Sequence, residues 1–384
     1  MSTSPRLRIA VLNRHFGYRF GGAERYAAAI AEELSDTHEV HVFAQDIEHH
    51  HPGITYHPVS RPFNKPRWLN QLWFALQTWR LTRHGFDVVH SHENTWHGDL
   101  QTVHVRPFRV GLFHGLSPAR RALRWLSLFT SPRLITYWWL EAARLSVNPG
   151  RRIVATSDQV KRDTLMGYPH TASMLEVIPP GVNMPAQRLT TSPARAQLQL
   201  PLDVPLALFV GNDFDKKGLS ALLQALALTP GLHVAVVGQG RHLQRYREQI
   251  ATLGLADRVH LLGSLSDVTP AYAAADWLVH PTTEDTYAMV VLEAMASGLP
   301  VIVSSARFCG IAAELTHTVN ALILDDPRDE KQLSERLLSL LKDPSLRESL
   351  ARAGLSFAQE RTWRQAAAQH EALIQRVLAQ RPGD

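Results

Sequence analysis

The sequence predicts an α/β protein of two Rossmann-like, doubly wound parallel-sheet domains that face each other across a cleft. Short apolar runs alternate with segments of helical periodicity along most of the chain, which is the pattern of successive βα units. The alternation stops between residues 185 and 202, where Pro, Thr, Ser, Gln and Arg dominate, and then restarts. The 384 residues, 45% of them apolar, suffice for two cores of ordinary size.

We therefore expect a first domain over residues 1–184, a linker over 185–202 and a second domain over 203–359. The last segment, 360–384, contains an amphipathic helix that is expected to cross back and pack on the first domain. Because ligands of open parallel sheets bind at the carboxyl ends of the strands, we expect the functional residues in the loops that follow the strands.

Composition and charge limit the classes of function. The chain has one cysteine, Cys309, which excludes a disulfide framework and a thiolate zinc site. Its net charge of +5 favours an anionic partner, which can be nucleic acid, an anionic membrane or an anionic substrate. No nucleic-acid-binding motif is present, so we expect no nucleic acid among the partners.

Two segments bear on localisation. Residues 1–8 lack the apolar core of a signal peptide. Residues 123–145 form the most apolar long stretch, but Pro132 and several charged residues interrupt it, so it does not qualify as a transmembrane span. We expect a cytoplasmic protein, with peripheral contact to the inner face of the cell membrane as a further expectation.

Trp and Arg cluster in two places, residues 65–80 and 120–139. Trp with Arg on an amphipathic helix suits a membrane interface. A helix that packs its Trp face on a sheet and leaves Arg in solvent has the same pattern. Both interpretations stay open at this point.

The first half begins with a strand over residues 6–13, the pair Gly21-Gly22 and a helix over 23–34. A glycine pair in this place lets a ligand approach the backbone at the helix N-terminus, although on its own a tight turn explains it better. Further strands are expected at 39–44, 54–59, 86–91, 101–105, 152–157 and 175–179, and helices at 67–84, at 118–147 with a break near Pro132, and from 158. His90, His92, His97 and His104 fall near strand ends, although each is also compatible with an ordinary core histidine.

The second half repeats the alternation. Strands are expected at 206–210, 233–237, 258–263, 277–281 and 301–303, and helices at 218–228, from 241, at 270–275, at 290–297 and at 360–379. The strand at 277–281 leads directly into a loop that ends in Asp285.

Residues 285–303 combine this loop acid with a second acid, Glu293, on an otherwise apolar helix. An unpaired carboxylate in such a helix is costly to bury, so Glu293 needs a partner. One interpretation is a Glu that satisfies the helix dipole. The other is an acid that accepts hydrogen bonds from sugar hydroxyls, as the acid of a dinucleotide-binding fold does for ribose. The rest of the chain favours the second interpretation.

The loop over residues 211–218 indicates an anion site. Lys216 and Lys217 stand just before a helix N-terminus, where the positive end of the dipole disfavours cations unless an anion is bound. Two solvated lysines offset by Asp213 and Asp215 are the alternative. The two aspartates also form an Asp-x-Asp pair of the kind that holds a divalent cation against a diphosphate. Since the lysines can neutralise a leaving group themselves, we expect that no metal is required.

Together these pieces resemble the retaining glycosyltransferases of family 4, which have the two-domain GT-B fold. The resemblance covers nearly the full length and rests on the order and spacing of several short matches. These are Gly21-Gly22-Ala-Glu24, Ile178-Pro-Pro-Gly-Val-Asn183, Phe209-Val-Gly with Lys217-Gly218, Val237-Gly-Gln-Gly240, Val259-His-Leu-Leu-Gly263 and the block 285–303.

The resemblance implies roles for individual residues. The family signature is two glutamates separated by seven residues; Glu293 matches the second, which binds the nucleotide ribose. Asp285 stands at the first, where it would orient the donor sugar, with Glu284 as the lower-ranked alternative. Ala288 replaces a common glycine and Asn212 a diphosphate-binding arginine, so Lys216 and Lys217 would bind the diphosphate. By position, His104 matches the histidine near the acceptor and donor sugar. The donor-binding set is completed by the glycines Gly21, Gly22, Gly211 and Gly238 and the loop residues Tyr287, Met289 and Val290.

The resemblance implies transfer of a sugar from a UDP- or GDP-sugar to a glycan or glycolipid acceptor, with retained anomeric configuration. Synthesis of cell-envelope polysaccharide or lipopolysaccharide is the expected setting. An epimerase-like enzyme or a nucleotide-sugar-binding protein on the same fold is the main alternative. An oxidoreductase would need a three-glycine fingerprint, and Gly238-Gln-Gly240 lacks the third glycine. The hypothesis that the protein is a non-catalytic, membrane-associated partner rests only on the Trp-Arg segments.

Overall fold

The computed structural model describes residues 6–113, 115–148, 150–185 and 190–380. The chain divides into two compact units. The first contains the chain up to Pro180 and again from Trp363 onward, and the second is Gly181–Thr362. The chain thus passes from one unit to the other twice, after Pro180 and after Thr362. The residues next to these two crossings are hydrogen-bonded to each other, with Val182 N donating to Arg361 O at 2.9 Å.

The first unit is built on a seven-stranded, all-parallel sheet. Its strands, in spatial order, are β5 (Ile54–Pro58), β3 (Glu39–Ala44), β1 (Arg8–Leu12), β6 (Val88–Ser91), β7 (Leu100–Val103), β8 (Arg152–Ala155) and β9 (Leu175–Val177). The short strands β2 (His15–Phe16) and β4 (Asp46–Ile47) form a separate parallel pair. The apolar strand residues are mostly buried, because helices cover a parallel sheet on its faces.

The helices of the first unit include the last helix of the chain. They are α1 (Gly22–Ser35), α2 (Arg67–Thr82), α3 (Phe108–Phe113), α4 (Pro118–Thr130), α5 (Pro132–Arg144), α6 (Asp158–Gly167) and α15 (Trp363–Ala379). Helix α15 lies against α1, and its Trp363 and His370 rings contact Tyr26. The amphipathic pattern of residues 360–379 therefore serves to bury an apolar stripe in the first unit.

The second unit has a six-stranded parallel sheet in the order β12 (Val259–Gly263), β11 (His233–Val237), β10 (Leu206–Val210), β13 (Trp277–His280), β14 (Val301–Ser304) and β15 (Leu322–Leu324). Its helices are α7 (Thr191–Gln197), α8 (Phe214–Lys217), α9 (Leu219–Ala227), α10 (Leu243–Thr252), α11 (Thr269–Ala274), α12 (Met289–Ala296), α13 (Glu330–Lys342) and α14 (Pro344–Gln359). The prediction of two doubly wound parallel sheets is confirmed. The paired strands β10 and β13 place the loops after them side by side.

The structure differs from the sequence-based expectations at two points. The expected linker, 185–202, contains helix α7, whose Arg195 is buried and donates to Ala274 O at 2.8 Å. A helix with so few apolar residues shows little hydrophobic periodicity, so the sequence did not predict it. Residues 186–189 of the expected linker lie outside the described residues. The expected loop 211–218 contains the single-turn helix α8, so Lys216 and Lys217 end one short helix as well as preceding α9.

Among the described residues, every helix is too short or too polar to cross a bilayer.

Candidate functional site

The site begins where two adjacent strands of the second unit end. Because β10 pairs with β13, the loop carrying Lys216 meets the loop carrying Asp285. The carbonyl of Lys216 accepts from the backbone N of Thr283 at 2.8 Å and from the Thr282 hydroxyl at 3.1 Å. These bonds hold the two loops in register.

Gly218 allows this close approach. It adopts the left-handed conformation, with φ +80°, and a Cβ there would lie 2.0 Å from Pro281 O. Only glycine fits without moving one loop off the other. The match Lys217-Gly218 in the sequence thus has a structural cause.

Asp285 is the centre of the site. Its Oδ2 lies 2.5 Å from Lys217 Nζ and 3.1 Å from His280 Nε2. Its Oδ1 accepts from the backbone N of Ala288 at 2.9 Å and of Tyr287 at 3.3 Å. A carboxylate offers about four acceptor positions, so these donors fill it.

The electrostatics favour an ionised Asp285. Burial acts to raise the pKa of Asp285, but the hydrogen bond from His280 and the charge of Lys217 outweigh it and hold the pKa well below its usual range. Burial lowers the pKa of His280 despite the opposing charge of Asp285, so the imidazole is neutral at neutral pH. A neutral imidazole that donates from Nε2 leaves Nδ1 as an acceptor, and Nδ1 has no hydrogen-bond partner among the residues described.

The two lysines differ in their environment. Lys217 is largely buried with Asp285, the exposed fractions of the side chains being 20% and 15%. Lys216 pairs with Glu284 at 3.0 Å on the surface, where both side chains are more than half exposed. Among the described residues, the lysines form ion pairs with Glu284 and Asp285 and not with Asp213 or Asp215. Asp213 caps α8 through the backbone N of Lys216 at 3.4 Å, and Asp215 accepts from the Tyr246 hydroxyl at 2.8 Å.

Helix α12 begins directly beside Asp285. Ala288, its N-cap, has φ +72°, a conformation that glycine adopts more easily, as expected from the family pattern. Met289 and Val290 open the helix, so their backbone N–H groups have no partner within it. Tyr287 is buried, and burial together with the nearby charge of Glu314 raises the pKa of its hydroxyl.

Glu293 follows one turn later and is half-buried. The first turn of α12 contains no acid, so the interpretation of Glu293 as a residue that satisfies the helix N-terminus is not supported. Its Oε2 instead accepts from the Tyr272 hydroxyl at 2.7 Å. The expected partner of this carboxylate is therefore a tyrosine from α11.

The glycine-containing loops lie next to the lysine loop. Gly211 N donates to Val237 O at 3.0 Å, and Gly238, with φ +126°, leaves no room for a Cβ, which would be 2.1 Å from Gly211 O. Asn212 Oδ1 accepts from the backbone N of Gln239 at 3.0 Å. Asn212 thus ties the loop after β10 to the loop after β11.

Three of the predicted residues belong to the first unit. Gly21 is the N-cap of α1 in an extended conformation and Gly22 is the first helical residue; both are exposed. His104 follows β7, and its Nε2 lies 2.9 Å from His92 Nδ1. Burial and the charge of Arg144 lower the pKa of His104 to about 3, so it hydrogen-bonds as a neutral ring.

Sequence reasoning missed His280 and Tyr272. The signal for His280 was present, because it ends an apolar strand just as His90 and His104 do. Tyr272 gives no such signal, since its contact with Glu293 depends on how α11 packs beside α12. Within the described ranges, no group of three or more His, Cys, Asp or Glu side chains is placed to hold a metal ion.

Comparison with known proteins gives two family matches. Residues 20–184 match the model described as Glycosyltransferase Family 4, and residues 191–357 match Glycosyl transferases group 1. Between them these two ranges take in most of the chain.

Curated relatives carry related names. The lipopolysaccharide glucosyltransferase WaaG of Escherichia coli (strain K12) is 26% identical over 232 residues, which cover 58% of this chain but only 61% of the relative, less than two thirds of its length. The D-inositol 3-phosphate glycosyltransferase of Thermobispora bispora is 28% identical over 382 residues, covering 91% of this chain and 88% of the relative.

Solved structures show the same fold. The crystal structure of WaaG, a glycosyltransferase involved in lipopolysaccharide biosynthesis, matches with a TM-score of 0.80 at 22% identity, over 95% of this chain and 99% of its own. Anabaena HepE, solved in complex with UDP and glucose, matches with a TM-score of 0.72 at 21% identity, over 96% and 98%.

Proposed function

Because the chain belongs to the family 4 glycosyltransferases and has their GT-B fold, we propose that it transfers a sugar from a nucleotide-diphosphate sugar to an acceptor hydroxyl, with retention of configuration. The observation that carries the proposal is the pairing of Lys217 with Asp285 beside the first turn of α12. It combines a cation, a fixed carboxylate and helix N–H groups that have no partner within α12 in one place.

The chemistry requires stabilisation of a leaving diphosphate. The acceptor oxygen attacks the anomeric carbon on the face from which the diphosphate leaves, and a leaving phosphate oxygen takes the acceptor proton. Negative charge grows on the diphosphate as the glycosidic bond breaks, and preorganised donors stabilise such charge strongly. Lys216, Lys217 and the N–H groups of Met289 and Val290 are the donors that we assign to it.

The two lysines take different parts in this proposal. An exposed ion pair is worth at most about 1 kcal/mol, so Lys216 can leave Glu284 for a phosphate at little cost. Lys217 is held by Asp285 and presents a fixed charge. With two ammonium groups available, we propose that no metal is required.

Asp285 acts in this proposal mainly through the groups that it holds. A donor-sugar hydroxyl can reach its carboxylate only by displacing one of the four present donors. Asp285 therefore fixes Lys217 and the 287–290 backbone around the donor. Glu293, oriented by Tyr272, is assigned to the ribose hydroxyls. Gly211 and Gly238 would give the donor access to the backbone.

A nucleotide screen tests the donor site. UDP and GDP are added to the wild-type chain and to Glu293→Ala, and the thermal unfolding midpoint is measured. One diphosphate is expected to stabilise the wild type and to lose this effect in the variant. Equal shifts in both proteins would remove Glu293 from the site.

The alternative is a nucleotide-sugar enzyme or binding protein that does not transfer the sugar. Release of nucleotide from UDP- and GDP-sugars, measured with and without a glycolipid acceptor, separates the two. Nucleotide release that depends on the acceptor supports transfer. Conversion of the donor sugar that needs no acceptor and releases no nucleotide supports the alternative. The similarity to WaaG favours a lipopolysaccharide or other envelope glycan as the acceptor.

We also propose that the protein is cytoplasmic and binds peripherally to the inner face of the membrane through helix α4. Leu123, Leu126 and Phe129 share one side of α4 and are 68%, 65% and 76% exposed, while the buried residue of this helix is Leu128. Arg120 and Arg124 are also exposed on this helix. An outward apolar stripe beside arginines suits an interface with anionic lipid.

Flotation with phosphatidylglycerol-containing vesicles tests this surface. The triple variant Leu123→Ser/Leu126→Ser/Phe129→Ser should lose binding, because it removes the exposed apolar area, and high salt should weaken wild-type binding. Leu228→Ser, at a residue that is 51% exposed in the second unit, is the matched control. If the triple variant floats like the control, α4 is not the contact.

A further inference from the structure

The loop 285–290, to which the proposed function assigns the donor, is paired with a second segment of the same unit, residues 308–314. Asp285 N donates to Phe308 O at 2.8 Å, and Asp285 O accepts from Gly310 N at 3.0 Å. These two bonds make a short parallel bridge between the segments. The conformation of the loop therefore depends on a segment that the proposed function does not use.

Gly310 permits this pairing. A Cβ there would lie 2.0 Å from Thr286 O and 3.1 Å from the Cα of Tyr287, so any other residue would push the two segments apart. At the next position, Ile311 N donates to Tyr287 O at 3.0 Å. The segment then ends in a turn of 3₁₀ helix, Gly310–Glu314, which brings an acid behind the loop.

Tyr287 connects the loop to this acid. Its side chain is 3% exposed, and burial together with the nearby charge of Glu314 raises the pKa of its hydroxyl, which therefore stays protonated. Tyr287 thus links the loop to the second segment through its side chain as well as through its backbone.

Glu314 is held in turn by Arg361. Arg361 Nε lies 2.9 Å from Glu314 Oε2, and the two side chains are 25% and 23% exposed. Solvent screens such a pair less than it screens a fully exposed one. Among the described residues, the other ion pair of Arg361 is with Glu360, which is 75% exposed and lies at 3.9 Å. Glu314 is therefore the main partner of this guanidinium.

Arg361 is itself well anchored. Its guanidinium carbon lies 3.5 Å from the centroid of the Phe357 ring, and its Nη1 donates to Phe357 O at 3.2 Å. Its backbone carbonyl accepts from Val182 N, beside the place where the chain leaves the second unit. A cation over an aromatic face is stabilised by the ring. Arg361 therefore offers Glu314 a fixed charge and not a mobile one.

We propose that Glu314 and Arg361 are positioning residues that fix the conformation of the loop 285–290, acting through Tyr287 and the paired segment 308–314. That this loop binds the donor diphosphate rests on the proposed function, whereas the bracing of the loop does not.

The bracing matters for affinity because a phosphate needs the N–H groups of Met289 and Val290 to converge on one point. A loop that is already fixed loses little conformational freedom when the phosphate binds. A looser loop has to be ordered by the ligand, and this cost appears as a weaker affinity. Glu314 and Arg361 thus affect donor binding without having to touch the donor.

Hydrogen exchange and calorimetry on the full chain test the proposal. The variants are Glu314→Gln and Arg361→Met, each of which removes one charge and keeps much of the side-chain volume. In both, the backbone N–H groups of the loop should exchange faster than in the wild type, as measured by mass spectrometry of peptides that span 281–295. The dissociation constant for UDP or GDP, whichever the wild type binds more tightly, should rise about three- to tenfold.

The double variant and the conservative variant add two further readouts. The double variant should lose no more affinity than the weaker-binding single variant, because both changes break the same contact. Arg361→Lys keeps the charge but not the planar fork, so its affinity should fall between those of the wild type and Arg361→Met.

Glu348→Gln and Arg352→Met are the matched controls. They break another Arg–Glu pair of the second unit, which joins two residues of α14 at 2.8 Å and whose side chains are both 75% exposed. Loop exchange and diphosphate affinity should stay as in the wild type in both controls.

The outcomes separate this inference from the proposed function. A merely structural ion pair would lower the unfolding midpoint of Glu314→Gln and Arg361→Met but leave loop exchange and diphosphate affinity unchanged, and either unchanged quantity overturns the inference. Additive losses in the double variant overturn it as well. If the wild type binds neither diphosphate while the loop exchanges faster in both variants, the bracing stands and the proposed function is removed.

Discussion

Lys216 and Lys217 are adjacent in sequence but are held in different ways. Lys217 is largely buried against Asp285, whereas Lys216 meets Glu284 in solvent. Solvent screens the second pair and not the first, so only Lys217 contributes appreciably to stability.

Separate alanine variants should reveal this difference. Lys217→Ala leaves the Asp285 charge with one cation fewer, so we expect a loss of about 1–3 kcal/mol of unfolding free energy. Lys216→Ala should cost less than about 1 kcal/mol, but should weaken the stabilisation by a nucleoside diphosphate. Urea unfolding with and without UDP or GDP measures both effects. Equal losses of stability would contradict the difference in burial.

The length of the acid at position 285 should matter as well. Asp285→Glu restores the usual family residue, but its extra methylene must enter a space already shared by Lys217 and His280. Overpacking of this kind costs about 1–3 kcal/mol, so the variant should be less stable than the wild type. Glu284→Asp, at the exposed neighbour, is the matched control. A more stable Asp285→Glu protein would show that the site accepts either acid.

At the scale of elements, four buried histidines lie where α15 meets the first sheet. The ring centroids of His90 and His92 lie 4.2 Å apart with the rings tilted, and His92 and His104 stack at 5.2 Å. The ring of His370, on α15, lies 5.3 Å from that of His90. Burial lowers the pKa of each, that of His370 to about 4. All four rings are therefore neutral in the folded protein at neutral pH.

This cluster predicts acid sensitivity. An unfolded histidine has a pKa of about 6.5, so between that value and the lower folded values the unfolded chain binds more protons. The stability of the first unit should fall as the pH falls from about 6.5 towards 4, by up to about 1.4 kcal/mol per pH unit for each histidine.

Replacing His370 tests the contribution of one ring. In His370→Gln the loss of unfolding free energy between pH 6.5 and 4.5 should be smaller than in the wild type, as measured by urea unfolding across this range. His50→Gln, at an exposed histidine, is the control and should leave the pH dependence as it is. The same pH dependence in all three proteins would exclude His370 as a source.

At the scale of the whole molecule, the first unit is assembled from two distant parts of the chain. Helix α15 buries Trp363, Leu373, Ile374 and Val377, and His38 of the first part lies 2.5 Å from Glu371. The second unit is a single continuous segment between these parts. The stability of the first unit therefore depends on α15, whereas the second unit does not contain this helix.

Truncation after Thr362 should separate their stabilities. Each large apolar side chain of α15 contributes about 1.5–3 kcal/mol on burial, and their sum rivals the total stability of a typical domain. The shortened chain should lose the first unit while the second unit stays folded. Limited proteolysis should then leave a resistant fragment from about residue 181 to 362. Resistance of the first unit to cleavage would contradict this dependence.

The sequence by itself determined the two parallel sheets, the position of Asp285 after a buried strand and that of Glu293 on the following helix. These features follow from local periodicity and turn chemistry, which are written in neighbouring residues. Tertiary structure alone decided which lysine meets Asp285, that His280 joins them and that Tyr272 bonds Glu293. It also decided that α4 turns its apolar stripe outward. Such contacts depend on which strands and helices become neighbours. A periodic pattern predicts which face of a helix or strand is apolar, but not which element covers that face.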